Sequence, residues 1–207
     1  MVDKVQIANT ALREVGADRI NSFEDGTYSA DLISDIYEMV VEQVMIQGGW
    51  TSLRKRAALT RLAEPPVFGF KYAYIMPQTP PSISIIEFNR NRVENGIVIP
   101  LGRNTTLTRN GELGAFQLEG KYLLTNAEVA HVVYIAKDMN ENNWGPHLRN
   151  TVVAALKLRI AKNQSAESGV VTQLTQEYGA LLDDNRSRNN LQASSVEMET
   201  DTYFVDR

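Results

Sequence analysis

The sequence contains no cysteine, and this absence excludes several kinds of site. Without thiols the chain can form no disulfide framework, thiolate zinc site, iron–sulfur cluster or cysteine nucleophile. Histidine is also scarce, since only His131 and His147 are present, and they lack the H-x-x-x-H spacing of a helical metal site. His131 falls in a predicted strand and His147 at a predicted helix start, so we interpret both as core or surface residues. The sequence therefore predicts no metal and no cofactor.

The sequence also lacks an excess of basic residues and any long hydrophobic run. Its 21 Lys and Arg against 25 Asp and Glu give a formal net charge of −4, which argues against a basic nucleic-acid-binding face as the main activity. No run approaches the roughly 20 apolar residues of a membrane span, and the charged, amphipathic start does not resemble a signal peptide. We expect a soluble protein made in a cytoplasm, with no membrane partner.

The residues that are present predict a folded chain rich in helix. At 207 residues, 43% of them hydrophobic, the chain is long enough to bury a sizeable core. Asp3 can cap a first helix that ends at Gly16. A longer helix is predicted from Thr27 to Gln47, with acidic residues on its outer side and Gly48-Gly49 at its end. Its buried stripe is Ile33, Ile36, Tyr37, Val40, Val41 and Val44. Two more helices are predicted between residues 148 and 160 and between residues 171 and 182.

Between the second and third helices the pattern changes to that of short strands. Phe68, Phe70, Tyr72 and Tyr74 alternate with other residues and predict an extended segment. Within residues 82–136, several runs alternate or are rich in β-branched residues. Asn95-Gly96 and Asn110-Gly111 are strong two-residue hairpin signals.

These patterns predict an α+β fold: an antiparallel four-helix bundle, a small antiparallel β-domain inserted between helices 2 and 3, and an extended C-terminal tail. We assign residues 1–80 and 138–190 to the helix-bundle domain, residues 81–137 to the inserted β-domain, and residues 191–207 to the tail. The tail has no apolar pattern of its own and ends near Tyr203-Phe204-Val205, so we expect it to be ordered only against a partner.

Paired carboxylates are the catalytic chemistry that the composition leaves open. Glycoside hydrolysis needs one acid and one base or nucleophile, and Glu24, Asp25 and Glu141 lie in predicted loops where such a pair could form. A chain with 25 acidic residues offers many such pairs by chance. We interpret Asp183-Asp184 as a solvated helix face, and no G-x-S-x-G elbow is present. The residues therefore predict no enzymatic activity.

A short basic run and two tryptophans are the candidate contact residues. Arg54, Lys55 and Arg56 could make only a few phosphate contacts, which would be weak and salt-sensitive, so we interpret them as a surface or subunit-contact patch. Trp50 and Trp144 lie at predicted helix boundaries. Either could anchor an interface, although lone tryptophans in such places are more often core residues.

Several short segments follow one another in a recognisable order between residues 5 and 180. They are Ala8, Ala11-Leu12, Gly16, Ile20-Asn21-Ser22-Phe23, Trp50, Arg54-Lys55-Arg56-Ala57, Phe70-Lys71-Tyr72-Ala73-Tyr74-Ile75-Met76-Pro77, Gly120, Leu123-Leu124-Thr125, Val132-Val133-Tyr134-Ile135, Trp144-Gly145-Pro146 and Ala154-Ala155-Leu156 with Ala161. In this order they resemble the tail tubular protein A family, the head-to-tail adaptors of T7-like short-tailed bacteriophages. The segment that ends at Met76-Pro77 is similar to the family signature F-x-Y-x-Y-x-L-P. The sequence departs from the family at Gln78-Thr79-Pro80-Pro81-Ser82, where an Asp and a hydrophobic-basic run often follow.

The resemblance implies a structural adaptor in the virion tail, assembled in the host cytoplasm and without catalysis. It implies a ring, expected to be a dodecamer, that joins the portal protein to a tail nozzle resembling tail tubular protein B. Genomic DNA would pass through its channel without specific binding, and an acidic wall would suit this because it repels phosphates. We expect Asp and Glu of the long helix or the β insertion to face the channel.

In this adaptor we expect Tyr203, Phe204 and Val205 to anchor a portal-binding strap. Arg54, Lys55, Arg56 and Trp50 are expected to contact other subunits or the tail. Two alternatives stay open, a tail-associated glycan hydrolase and a connector or tail-completion protein of another phage type.

Overall fold

Four α-helices and nine β-strands make up the part of the chain that the computed structural model describes, which is residues 3–88, 91–94, 97–100, 116–164 and 166–193. The helices are α1 (Lys4–Glu14), α2 (Tyr28–Gly48), α3 (Pro146–Asn163) and α4 (Ser168–Ala193). Short 3-10 helices cover Thr51–Leu53 and Glu141–Asn143. The strands are β1 (Arg54–Ala58), β2 (Thr60–Arg61), β3 (Tyr72–Ile75), β4 (Ser82–Phe88), β5 (Asn91–Glu94), β6 (Ile97–Pro100), β7 (Phe116–Glu119), β8 (Tyr122–Thr125) and β9 (His131–Ala136).

The helices begin and end where local residues satisfy the backbone. The Asp3 carboxylate accepts a hydrogen bond from the Gln6 N–H at 2.8 Å, and the Thr27 hydroxyl accepts one from the Ala30 N–H at 3.3 Å. Pro146 occupies the first turn of α3, where its missing N–H costs nothing. Gly49 follows α2 with φ of 59°, a left-handed conformation that suits glycine. These caps confirm the first two predicted helices to within a few residues at each end.

The strands form two antiparallel sheets and a separate hairpin. One sheet has three strands in the order β1-β9-β4, and the other has four in the order β2-β3-β8-β7. β5 and β6 pair antiparallel, with Glu94 opposite Ile97, as the predicted hairpin requires, while the predicted turn Asn95-Gly96 itself lies outside the described residues. The second predicted turn, Asn110-Gly111, lies outside the described residues.

The strand β9 lies between two apolar cores. Successive side chains of a strand point to opposite faces, and Ile135 accordingly packs with the helices, together with Leu53 and the partly buried Ile83. Tyr134 faces the other way and packs with Tyr74 and Leu123 of the four-stranded sheet. The three-stranded sheet, with β9 at its centre, therefore lies between the helical core and the core of the four-stranded sheet.

The expected four-helix bundle with a small inserted β-domain is wrong. The structure is α+β, but its helices do not form such a bundle, and the two sheets contribute a substantial part of the fold. In the described residues α3 packs against each of the other helices, whereas α1 makes little contact with α2. The physical reason is that the apolar faces of the helices are shared with the three-stranded sheet, through Ile135 of β9 and Ile83 of β4. The strands β1, β2 and β3 all precede residue 81, and the division into domains stays a prediction.

Candidate interaction surface

The basic run Arg54-Lys55-Arg56 forms most of β1, at the edge of the three-stranded sheet. Because a strand alternates its faces, Lys55 points away from its two arginine neighbours. The Lys55 ammonium lies 4.0 Å from the Asp138 carboxylate. The Nε of Arg54 is buried and makes no hydrogen bond within the described residues, whereas Arg56 is exposed. Charged side chains on an edge strand oppose pairing with a further strand, so the run protects this edge and is partly neutralised by its own chain.

Both tryptophans lie in the core. Trp50 is 2% exposed and its indole N–H donates to the Val44 carbonyl at 2.8 Å. Trp144 is 1% exposed and donates to the Asp138 carbonyl at 2.7 Å. The structure thus supports the core interpretation of these residues, and the Trp50 ring does not reach the surface of the chain.

The other predicted site residues are dispersed. Tyr203, Phe204 and Val205 lie outside the described residues, and the portal-binding strap stays a prediction. His131 and His147 are both exposed, at the start of β9 and of α3. Within the described ranges, no three His, Asp or Glu side chains are placed together as metal ligands.

The structure places Glu141 against α2, near the loop that carries Glu24 and Asp25. The hydroxyl of Tyr37 on α2 donates to Glu141 Oε1 at 3.1 Å, and the Tyr37 ring packs edge-on against Phe23 with centroids 5.2 Å apart. Burial, and secondarily the Glu141 charge, raise the pKa of the Tyr37 hydroxyl far above its usual value. The phenol therefore stays protonated, and its hydrogen bond connects the 3-10 helix Glu141–Asn143 to α2.

Asp25 has the opposite character to a general acid. Hydrogen bonds from the backbone N–H groups of Asn21 and Ser22 lower the pKa of its exposed carboxyl. A glycosidase acid needs a raised pKa, so the geometry suits Asp25 to ordering its own loop. Asp183 and Asp184 are exposed on α4, and Asp184 pairs with Arg188 one turn later at 2.9 Å, as a solvated helix face would.

The exposed side of α2 is acidic and also carries apolar side chains. We define the outer face of α2 as Asp35, Glu38, Met39, Glu42 and Ile46, which line an open depression of about 640 Å³. Met39 is 49% exposed and Ile46 is 52% exposed. The 21 residues of α2 include four acidic side chains, Asp31 among them, and no lysine or arginine.

One cation from outside the helix contacts this face. The Lys137 ammonium lies 2.8 Å from Glu42 Oε2 and 3.1 Å from Glu38 Oε1. Hydrogen bonds to Glu42 and Glu38 raise the pKa of Lys137, so it stays charged. Within the described residues, this one positive charge leaves the outer face of α2, which carries three carboxylates, with an excess of negative charge.

A second unusual surface is the β2–β3 loop, which we define as residues 62–71. Its tip exposes Val67 to 97% and Phe68 to 86%, and Gly69 turns the chain with φ of 87°. The exposed Arg61 lies directly before the loop, and the exposed Lys71 is its last residue. In the described part of the chain, little of either side chain is covered.

Sequence reasoning predicted the acidic side of α2 but missed the exposed apolar side chains of both surfaces, for different reasons. Met39 and Ile46 interrupt the polar side of the predicted second helix, and that interruption was a readable signal. Phe68 was placed in an extended segment with Phe70, Tyr72 and Tyr74, but β3 begins only at Tyr72, and Phe68 lies in the loop before it.

Comparisons with known proteins add no relative. No protein-family model matches the chain, and the search of curated proteins returned no significant match. None of the helices in the described ranges is long and apolar enough to cross a membrane. The resemblance to the tail tubular protein A family therefore rests on the ordered motifs alone.

Proposed function

We propose that this chain is a structural head-to-tail adaptor of a bacteriophage virion. Copies of it form a ring, expected to be a dodecamer, that joins the portal to the tail nozzle and lines the DNA ejection channel. The observation that carries the proposal is the order of the motifs between residues 5 and 180, which resembles that of the tail tubular protein A family.

Several of these motif residues occupy positions on which the fold depends. Tyr74 is 1% exposed, and its hydroxyl donates to the carbonyls of Ala127 and Glu128 at 2.9 and 2.6 Å. Trp144 fills the core just before α3, and Gly120 makes the tight turn between β7 and β8 with φ of 57°. Because the motifs that resemble the family include these structural positions, their order supports a fold in common with the family. The adaptor role is carried over by analogy with the family.

The two unusual surfaces fit an assembly protein. A ring needs contacts between different surfaces of neighbouring copies, and such contacts close when the rotation divides a full turn. The outer face of α2 and the β2–β3 loop are two such surfaces, each exposed within a single chain. Their apolar side chains are of the kind that a partner buries.

The charge of the chain fits a conduit for DNA. Its formal net charge is −4, and α2 concentrates four carboxylates on one helix. Carboxylates that face a channel repel phosphates and let DNA slide without binding. We extend the proposal to a channel wall made partly of acidic side chains other than those in the contacts between neighbouring copies.

Electron microscopy of the full chain mixed with the purified portal of the same phage tests the proposal. We expect an added ring at one end of the portal, from which the copy number is counted, and no such ring on portal alone. A bare portal at chain concentrations well above micromolar would overturn the proposal. A tail-completion protein and a glycan hydrolase would then be the candidates, and a glycan-cleavage assay would separate them.

A further inference from the structure

We propose that neighbouring copies of this chain contact each other through the outer face of α2 on one copy and the β2–β3 loop of the next. The inference rests on the proposed function, since it names the subunit contact of the ring. On each of the two surfaces, the molecule that binds is a second copy of this chain.

The β2–β3 loop presents the apolar group that needs a partner. Val67 and Phe68 are the most exposed large hydrophobic residues in the described ranges. Pro65 and Pro66 precede them and restrict the backbone. A loop held in this way loses little conformational freedom when it docks, which favours binding.

The outer face of α2 presents a matching docking surface for this loop. Met39 and Ile46 lie two helical turns apart on the same side of the helix, about 10 Å along its axis. Both are about half exposed, and the depression that they line is open to an incoming loop. Met is a flexible side chain that adapts its shape to a partner.

The charges of the two surfaces are complementary. The loop and its flanks contain Arg61, Glu64 and Lys71, a net positive charge. The outer face of α2 keeps a net negative charge even after its contact with Lys137. Opposite charges around an apolar centre fix orientation and favour this pairing over α2 against α2, where carboxylates would repel.

The basic run of β1 is less suited than the β2–β3 loop to dock on the outer face of α2. Lys55 already lies against Asp138, and Arg54 is half-buried. The loop, by contrast, leaves Val67 97% exposed, so almost none of this side chain is covered within the described residues. Two different surfaces that fit each other give a heterologous contact, which is the kind that builds rings.

Cysteine cross-linking tests this contact directly, because the chain has no native cysteine. Phe68→Cys and Ile46→Cys are made as separate full-length variants, mixed and oxidised, free and with portal. Val170→Cys on α4, 45% exposed, is the matched control for Ile46→Cys. A disulfide needs Cα atoms within about 7 Å, so we expect about tenfold more cross-linked dimer from Phe68→Cys with Ile46→Cys than from Phe68→Cys with Val170→Cys.

The double variant, with Phe68→Cys and Ile46→Cys in one chain, should give a ladder of multimers, because each copy then carries both halves of the contact. Cross-linking at the level of the control in samples that show rings on the portal would overturn the inference and leave the adaptor function standing. Cross-linking at the level of the control, in samples that also show no rings on the portal, would overturn both the proposed contact and the adaptor function. Specific cross-linking without a portal ring would support the contact and overturn the proposed attachment to the portal.

Discussion

Lys157 on α3 is a buried lysine that ties three helices together. It is 7% exposed, and its ammonium lies 2.8 Å from Glu14 Oε2 on α1 and 2.7 Å from Glu177 Oε1 on α4. Burial by itself lowers the pKa of Lys157, but hydrogen bonds to the two carboxylates outweigh it and raise the pKa above its usual value. The stability from these ion pairs is therefore present below the ordinary lysine pKa of about 10.4 and is lost as the pH rises through the raised pKa.

Lys157→Ala should lower the free energy of unfolding by about 2–4 kcal/mol, since it removes both ion pairs and leaves a cavity. Lys157→Met should cost about 1 kcal/mol, because it keeps most of the volume and the half-exposed Glu14 and Glu177 regain water. Urea unfolding followed by circular dichroism measures both. Above about pH 10.4, the ordinary lysine pKa, the wild type should lose more stability than Lys157→Met, and parallel pH profiles would contradict the role of the charge.

Gly48, the last residue of α2, has no room for a side chain. A Cβ there would lie 2.2 Å from Cε2 of the Trp50 ring, and the Gly48 carbonyl accepts a hydrogen bond from the buried Asn185 amide at 2.7 Å. The end of α2, Trp50 and α4 therefore meet at one backbone position.

Gly48→Ala should destabilise the chain by about 1–3 kcal/mol, because the Trp50 ring must move in a packed core. Gly179→Ala on α4 is the matched control, since a Cβ there meets nothing within 4 Å; it should be stabilising by about 0.5–1 kcal/mol. Thermal unfolding of the two variants checks the difference. Equal melting temperatures would show that Trp50 has another position available.

At the scale of elements, α2 separates its two sides sharply. Val44 is 0% exposed and packs in the core, whereas Gln43 beside it is exposed. Val44→Asp should unfold the chain at room temperature or lower its stability by at least about 3 kcal/mol, because it buries a charge without a partner. Gln43→Asp should change stability by less than about 0.5 kcal/mol. Thermal unfolding followed by circular dichroism compares the two variants with the wild type. An unchanged melting temperature for Val44→Asp would refute the assignment of Val44 to the core.

The strand β9 shows which part of the fold depended on distant contacts. Its β-branched residues identified it as a strand from the sequence. Its side chains alternate between the two faces of the sheet, so some pack in the helical core and others in the core of the four-stranded sheet. Its partner β1 consists of Arg-Lys-Arg-Ala-Ala, which has little intrinsic preference for strand. β1 is a strand because residues 54–58 pair with residues 131–135, and no local pattern contains that information.

At the scale of the whole molecule, the proposed strap can be tested without disturbing the described fold. α4 ends at Ala193, so removal of residues 194–207 leaves every described element in place. We expect the truncated chain to keep the wild-type melting temperature and to lose binding to portal rings in sedimentation assays. A full-length variant with Tyr203, Phe204 and Val205 all replaced by Ser should also lose binding, and wild-type binding by both would refute the strap.

The candidate surfaces were only partly predictable. The acidic side of α2 followed from its periodicity, because the hydrogen bonds and the stripe of a helix are local. The exposure of Phe68 and the burial of Trp50 did not, since an aromatic residue is equally suited to a core and to a contact. Which of the two it becomes depends on the elements that the rest of the chain packs around it.

The sequence by itself determined what is local or compositional. It excluded thiol chemistry, placed α1 and α2 with their caps, and indicated the β5–β6 hairpin. Only the tertiary structure decided how the helices share their core with the sheet, where β1 pairs, and which apolar side chains stay exposed. The physical reason is that capping and helical hydrogen bonds join residues a few positions apart, whereas strand pairing and burial join residues that are far apart in the chain.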